Sequence, residues 1–398
     1  MINQAQTAHG LSTLIREEWN PIVNTYAKYL INFSYGKGAY LYDSSEKKYL
    51  DMLSGIAVTS FGHNNEAIKE AVVEQLNKFW HTSNLFESGL QNKLALELAI
   101  KSGLDSVFFS NSGTEANEAA IKFARKFGNE KTYIITALNG FHGRTYGSLS
   151  ATPKYKYWEG FFPLTPGFIH VPFNDIEALK SAYNKYVCAV MLETVQGEGG
   201  IYEADYEYLQ DVREFCDENN ILLILDEVQC GVGRTGKFFA YEHYLIKPDI
   251  ITLAKGIANG LPLGATIVDK RIANVIVPGC HGSTFGGNPV SVSAALKVLD
   301  LLDNKMLSHI SSIGTLIMNE LKSINSHLLI EIRGKGLMIG VEFDDKIKVK
   351  DFVLKLLNKG IIAGTCGENT LRLLPPFIIS HSDVELFLKT FKETLKEF

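Results

Sequence analysis

Six short runs of nearly unbroken apolar residues punctuate the middle of this chain, and they limit what it can fold into more than any other feature. They are Val107–Phe109, Thr132–Thr136, Cys188–Leu192, Ile221–Leu225, Ile250–Leu253 and Ala265–Val268. Each has the length of a strand, and most are apolar throughout rather than alternating. A strand with one wet face alternates; one buried on both faces does not, and burial on both faces is the habit of a parallel sheet covered by helices. Between the runs, apolar residues recur at helical spacing, as in Ala116, Ala119, Ala120, Phe123 and Phe127, or Leu209, Val212 and Cys216. The pattern predicts an α/β sandwich with a mostly parallel central sheet.

The last quarter reads differently. Helical patterns around residues 290 to 325 lead into Ile330–Ile332 and Leu337–Phe343, broken by Gly334, Gly336 and Gly340. Ser382 and Glu385 have the spacing of a capping box, opening a helix with Val384, Phe387, Leu388, Phe391 and Leu395 on one face. A smaller α+β domain over residues 291–398 is expected, joined by an N-terminal segment, residues 1–60, beside a large domain over 61–290.

Composition narrows the function classes. The chain has 398 residues, 46% of them hydrophobic and 21% charged, enough to bury a large core. The formal charge of −5, with no lysine- or arginine-rich run, speaks against a nucleic-acid surface. Runs such as Ile221–Leu225 fall far short of the ~18 residues of a membrane span. The polar segment Met1–Glu18 does not resemble a secretory signal. Five scattered cysteines without CxxC spacing read as reduced, mostly packed thiols, which points to the cytoplasm.

Three segments carry chemistry. In Phe109–Asn117 a strand ends, Gly113 allows a tight turn, and a helix begins with Ser112 and Glu115 at capping-box spacing. The free amides of that first turn form a natural phosphate seat. In Ile221–Gln229 an apolar strand delivers Asp226 and Glu227 to its C-terminal end, where α/β sheets place ligands. Adjacent strand residues face opposite ways, so one of the two carboxylates is expected to enter the site. No metal is expected there, since His243 lacks a second ligand at binding spacing. In Leu253–Gly256, Lys255 stands just past a third apolar strand. A partly desolvated lysine has a lowered pKa and forms a Schiff base with a carbonyl. Together these supply what pyridoxal phosphate needs: an imine-forming lysine, an acid for its pyridine nitrogen and a phosphate cup.

A competing signal lies in Gly231–Lys237, which satisfies GxGxxG and nearly satisfies a P-loop. The P-loop fails because Phe238 stands where Ser or Thr must coordinate magnesium. The dinucleotide fingerprint fails because five residues separate strand from glycines and no amphipathic helix follows. An NAD(P)-linked oxidoreductase using this loop is the alternative from a different class.

With those segments in place, the chain resembles the class III aminotransferases of pyridoxal-phosphate fold type I, and among them the acetylornithine aminotransferases. The resemblance runs from about Asn24 to the C-terminus. It rests on Ser54–Val58, Ser112–Asn117, Phe141–Thr145, Gln196–Gly200, Leu225–Gln229, Ala254–Gly256, His281–Pro289 and Leu371–Leu373, in that order. It implies that Lys255 bonds the cofactor and shuttles a proton between substrate Cα and cofactor C4′, while Asp226 keeps the pyridine nitrogen protonated. It further implies that Phe141 stacks on the ring, Gln229 sits near the phenolic oxygen, and Gly113 and Thr114 hold the phosphate. Thr284 would reach that phosphate from the partner subunit of a homodimer.

For substrates, the resemblance implies that Arg144 grips the α-carboxylate of an N-acylated diamine, with Ser283 adding contacts. Arg372 would bind the α-carboxylate of glutamate or 2-oxoglutarate. Either arginine can hold a carboxylate through two parallel hydrogen bonds. Glu198 would pair with Arg372 when the donor is bound and swing away when the oxoacid enters. Ile56 stands where ornithine aminotransferases carry a tyrosine, which favours the acylated donor N-acetyl-L-ornithine. Succinylated donors, ornithine and 4-aminobutyrate are the alternatives within the same mechanism.

Overall fold

The computed structural model describes residues 22–398, so the segment Met1–Glu18 lies outside the described residues. At the centre is a seven-stranded sheet in the order Ser106–Ser110, Gly264–Val268, Ile250–Leu253, Leu222–Asp226, Val187–Leu192, Tyr133–Ala137, Phe168–Val171. Gly264–Val268 runs antiparallel to both neighbours; the other pairings are parallel. The six expected strands are present, each within a residue or two of its expected ends. Phe168–Val171 was not among them. It is an edge strand with only Val171 fully buried, so its sequence carries no continuous apolar run.

Continuous burial explains the apolar runs. Val187–Leu192 and Leu222–Asp226 are buried at every position. The helix Gly113–Gly128 covers one face with Ala116, Ala119, Ala120, Ile121, Phe123 and Ala124, while Tyr206–Glu218 buries Leu209, Val212 and Cys216. Small alanines let the first helix approach the strands closely.

The two chain ends meet. Strands Phe33–Lys37, Tyr40–Asp43 and Lys48–Asp51 form an antiparallel sheet, and Ile361–Ile362 adds to it in parallel beside Lys48–Asp51. Leu329–Lys335 and Met338–Phe343 form a hairpin extended by Thr370–Leu373 and Gly364–Cys366. The terminal helix His381–Leu395 buries the expected apolar face, but its cap differs. Ser380, not Ser382, is the N-cap, and Asp383 rather than Glu385 completes the box. Asp383 lies three residues past Ser380, so it has the reach that the box requires.

Residues Ser54–Ala57 form a turn of the opposite hand to an ordinary helix, with φ of 50°, 61°, 66° and 62° in succession. Three of the four are not glycine, and each such residue costs about 1–2 kcal/mol relative to the right-handed form. Asp51 holds the entry: Oδ1 accepts from the amides of Leu53 (2.9 Å) and Ser54 (2.8 Å), and Oδ2 meets His63 Nε2 at 2.8 Å.

The glycine loop Gly231–Lys237 wraps a buried arginine instead of a phosphate. Arg234 donates to the carbonyls of Leu337 (3.1 Å) and Pro375 (2.5 Å) and to Ser60 Oγ (3.0 Å), and stacks over Phe377. Its glycines give room to close neighbours: a Cβ on Gly233 would lie 2.7 Å from Leu302, and one on Gly236 2.0 Å from Ser311.

Candidate active site

The strand Leu222–Asp226 ends in two carboxylates that the pleat sends opposite ways. Asp226 lines a cavity of about 440 Å³ at the C-terminal ends of the parallel strands. Glu227 turns away and accepts from the amides of Ala240 (2.7 Å) and Tyr241 (2.9 Å). Burial raises its pKa from the ordinary 4.5 to about 8. Folded protein therefore holds a proton that unfolded protein releases between about pH 4.5 and about 8, so stability from this group is present below that window and lost as pH rises through it. Unfolding free energies of Glu227→Gln, which cannot ionise, are expected to gain on those of the parent across the window by up to about 1.4 kcal/mol per pH unit. Parallel stability curves from denaturant titrations would show that Glu227 does not titrate there.

Asp226 is held from three directions. Oδ2 accepts from Asn117 Nδ2 at 2.7 Å and meets His142 Nδ1 at 2.8 Å, and Oδ1 accepts from the Val228 amide at 3.0 Å. Asn117 is fixed in turn, donating to the His142 carbonyl and accepting from Thr252, the register partner of Asp226 on the neighbouring strand. Burial disfavours a charged His142, but the hydrogen bond to Asp226 and the charges of Asp226 and Glu193 outweigh it and raise the ring's pKa. The carboxylate is thus locked in one orientation, and in turn favours the protonated form of the imidazole behind it. Sequence alone assigns His142 no role. Its signal, a histidine beside the expected ring-stacking Phe141, becomes specific only once the fold places it on Asp226.

Lys255 follows the strand Ile250–Leu253 and lines the same cavity. Its φ of 49° lies in the left-handed region, a local strain of the kind that gathers at functional sites. Burial lowers its amine pKa; the charges of Glu198 and Asp226 oppose that, and Arg372 adds to it.

The helix Gly113–Gly128 points its N-terminus at the cavity, which Ser112, Gly113 and Thr114 line. Ser112 caps it, Oγ accepting from Glu115 N, but the Glu115 carboxylate reaches Asn111 N and Nδ2 rather than closing the box on Ser112. The first-turn amides of Gly113 and Thr114 have no carbonyl within the helix to bond. A Cβ on Gly113 would come within 2.6 Å of Val228, so only glycine lets the turn pack there.

Phe141, Gly143 and Arg144 line the opposite wall. Exposed Arg144 stacks on Tyr157, 3.6 Å from guanidinium carbon to ring centroid, and Tyr157 meets Phe141 edge-on at 6.2 Å. Nothing in the sequence marks Tyr157, whose place shows only when the short helix Tyr155–Trp158 folds back over Phe141. From the segment Ser54–Val58, Val58 lines the cavity, while Ile56 packs against the apolar cluster that contains Cys230, Met338 and Cys366.

Gln229 connects the cavity to a buried ion pair. Arg372 Nη1 bonds Glu198 Oε1, and lies 3.3 Å from both Gln229 Oε1 and the Gly197 carbonyl. Burial alone would raise Glu198; the charge and hydrogen bond of Arg372 hold it below the usual carboxylate value.

Seven of the expected residues, Gly113, Thr114, Phe141, Arg144, Asp226, Gln229 and Lys255, thus line one cavity, with Glu198 and Arg372 adjoining it. Ser283 and Thr284 stand apart on a separate surface segment. Ser283 Oγ accepts from Asn111 Nδ2 and Gly286 N, and Thr284 is exposed. A larger cavity of about 570 Å³, lined by Lys78, Lys93, Lys101 and Lys297 among carboxylates, gathers no comparable chemistry: Lys78 is bonded to Glu74 and Lys297 to Asp300. No cluster of metal-binding side chains occurs among the described residues.

Comparison with known proteins agrees with this geometry. Residues 22–395 match the family described as aminotransferase class-III. The acetylornithine aminotransferase of Methanocaldococcus jannaschii is 46% identical over 374 residues, covering 91% of this chain and 92% of the relative. That of Bacillus subtilis is 44% identical over 377 residues, covering 94% and 97%. Among solved structures, the ornithine aminotransferase of Toxoplasma gondii has a TM-score of 0.92 at 31% identity, covering 98% of this chain and 96% of that one. The N-acetylornithine aminotransferase of Stenotrophomonas maltophilia has a TM-score of 0.82 at 33% identity, covering 94% and 97%. With a match that runs from residue 22 to residue 395 and near-full-length relatives at these identities, the chain belongs to the class-III aminotransferase family.

Proposed function

We propose that this aminotransferase moves the terminal amino group of N-acetyl-L-ornithine to 2-oxoglutarate, giving N-acetyl-L-glutamate 5-semialdehyde and L-glutamate in arginine biosynthesis. The observation that carries the reading is a pair of arginines of opposite character at the site of one lysine: Arg144 exposed on the cavity wall that Lys255 shares, Arg372 buried and paired with Glu198. Relatives named acetylornithine aminotransferase, at 42–46% identity over more than nine-tenths of the chain, support it.

The family's cofactor is pyridoxal 5'-phosphate, which when bound supplies an electron sink beside the carbon that carries the amine. The residues present fit it: a lysine of lowered pKa, a buried and oriented carboxylate, an aromatic wall, and a helix N-terminus whose glycine packs where a Cβ could not. Lys255 would hold it and carry a proton to and from the amine-bearing carbon, its lowered pKa favouring the neutral base. Asp226, fixed by Asn117 and His142, would keep a proton on the ring nitrogen. Phe141 would cover the ring face, Gln229 would approach the phenolic oxygen, and Gly113 and Thr114 would bind the phosphate.

Arg144 would hold the donor's carboxylate, which leaves the far amine to reach Lys255. Arg372 stays paired with Glu198 until the oxoacid carboxylate displaces that partner. The aliphatic Val58 on the cavity wall gives no partner to a free α-amino group.

We infer that two copies of this chain complete the site. Thr284 and Ser283 lie beside exposed Trp80, Leu85, Phe86 and Phe285, an apolar patch larger than isolated surface residues explain. The second copy would bring Thr284 to the phosphate and Ser283 to the donor. Five free cysteines, and no helix long and apolar enough to cross a membrane among the described residues, support a cytoplasmic setting.

The test is a set of half-reactions on purified enzyme loaded with pyridoxal phosphate, without any oxoacid. N-acetylornithine, N-succinyl-diaminopimelate, ornithine and 4-aminobutyrate are added separately, and the visible absorption of the cofactor is followed. Fast bleaching with N-acetylornithine and slow bleaching with ornithine are expected. Equal or faster bleaching with ornithine would transfer the assignment to the ornithine aminotransferases, to which the Toxoplasma gondii structure belongs.

A further inference from the structure

Glu193 follows the strand Val187–Leu192, is 6% exposed and lines the active-site cavity. Its two oxygens go to two different loops. Oε1 accepts from the amide of Phe141 at 2.9 Å, and Oε2 from the amide of Gly197 at 3.1 Å. The first loop carries Phe141, His142 and Arg144. The second carries Glu198, which bonds Arg372.

We propose that Glu193 is a positioning residue that braces the two recognition arms of the site against each other, one carboxylate oxygen on each. The proposal deepens the aminotransferase reading and rests on it.

The second arm shows what the brace does. Gly197 is fixed at both of its peptide groups: its N–H is held by Glu193 and its carbonyl accepts from Arg372 at 3.3 Å. On its remaining side a Cβ would lie 2.5 Å from the Gln229 side chain, so the backbone has no slack there. Glu198 is the next residue. With Gly197 pinned, Glu198 leaves or rejoins Arg372 by rotating its own side chain, and the loop stays in place. On the first arm, Glu193 holds the Phe141 amide while the His142 amide donates to Thr152 Oγ1 at 2.8 Å, so the orientation of the aromatic wall is set from both residues.

Other charged groups face Glu193 as well: His142 and Asp226 act on it, and its own charge is felt by Lys255, Lys154 and the Cys230 thiol. None replaces either amide bond. Glutamine at this position keeps one acceptor but turns an NH2 group toward an amide N–H, so one tether must break.

The experiment uses the loaded enzyme with Glu193→Gln, Glu198→Gln and the double variant, and Glu193→Asp as a second probe that keeps the charge but shortens the reach. Visible circular dichroism of the bound cofactor reports ring orientation, and thermal melting of the cofactor-free protein reports the fold. Glu193→Gln is expected to melt near the parent and to show a weakened dichroic band. Its kcat/KM for 2-oxoglutarate should fall about five- to a hundredfold, the scale of leaving one buried donor unsatisfied. The double variant should lose less than the product of the single losses, because Glu193 acts through Glu198. Glu193→Asp should follow the same pattern at smaller size. A parent-like band with parent-like kinetics in both Glu193 variants, or losses that multiply independently, would overturn the brace. A parent enzyme with neither cofactor band nor turnover would instead overturn the aminotransferase reading beneath it.

Discussion

Lys255→Ala is expected to lower transamination by about 10⁴-fold or more, because in the proposed reading one side chain both anchors the cofactor and moves the proton, and proton transfer alone is worth about 10²–10⁴-fold. The protein should still fold: Lys255 sits at a strand end with a left-handed φ that alanine tolerates no worse than lysine does. The measurement is single-turnover conversion of N-acetylornithine, together with the visible absorption of bound pyridoxal phosphate. The absorption maximum should shift to that of the free aldehyde even where binding persists. A small primary amine added to the variant should restore part of the proton transfer. Retention of parental turnover would remove this lysine from the chemistry.

Asp226→Asn is the second large effect. The substitution preserves shape and size, so the bonds to Asn117 and His142 can rearrange locally, but it removes the charge that favours a protonated His142 and that, in the proposed reading, keeps a proton on the ring nitrogen. A loss of about 10²–10⁴-fold in kcat is expected, with donor binding changed far less. A second readout needs no turnover. The carboxylate now raises the His142 pKa against burial, so in the variant that ring should titrate well below its parental value in a carbon-labelled NMR experiment. An unchanged His142 titration would show that the imidazole takes its charge state from elsewhere.

Much of this site was legible before any fold was known, and the reason is physical. Fully buried strands must be apolar, so Leu222–Asp226 and Ile250–Leu253 announce themselves, and a charged residue at their ends is conspicuous. Asp226 and Lys255 fall in that class. Residues that act through a third element do not. Glu193 looks in sequence like the polar end of one more strand, and only the approach of Phe141 and Gly197 gives it two partners. The GxGxxG run shows the reverse case: it has the sequence form of a phosphate loop, yet its glycines make room for Leu302 and Ser311 around a buried arginine.

The turn at Ser54–Ala57 was not legible either, since serine, isoleucine and alanine have no preference for the left-handed region. Its three non-glycine residues together hold about 3–6 kcal/mol of backbone strain, a large share of the about 5–15 kcal/mol by which a typical domain is stable. Val58, the next residue, forms part of the cavity wall. The wall on this side therefore carries backbone tension that the regular strands Val187–Leu192 and Leu222–Asp226 do not.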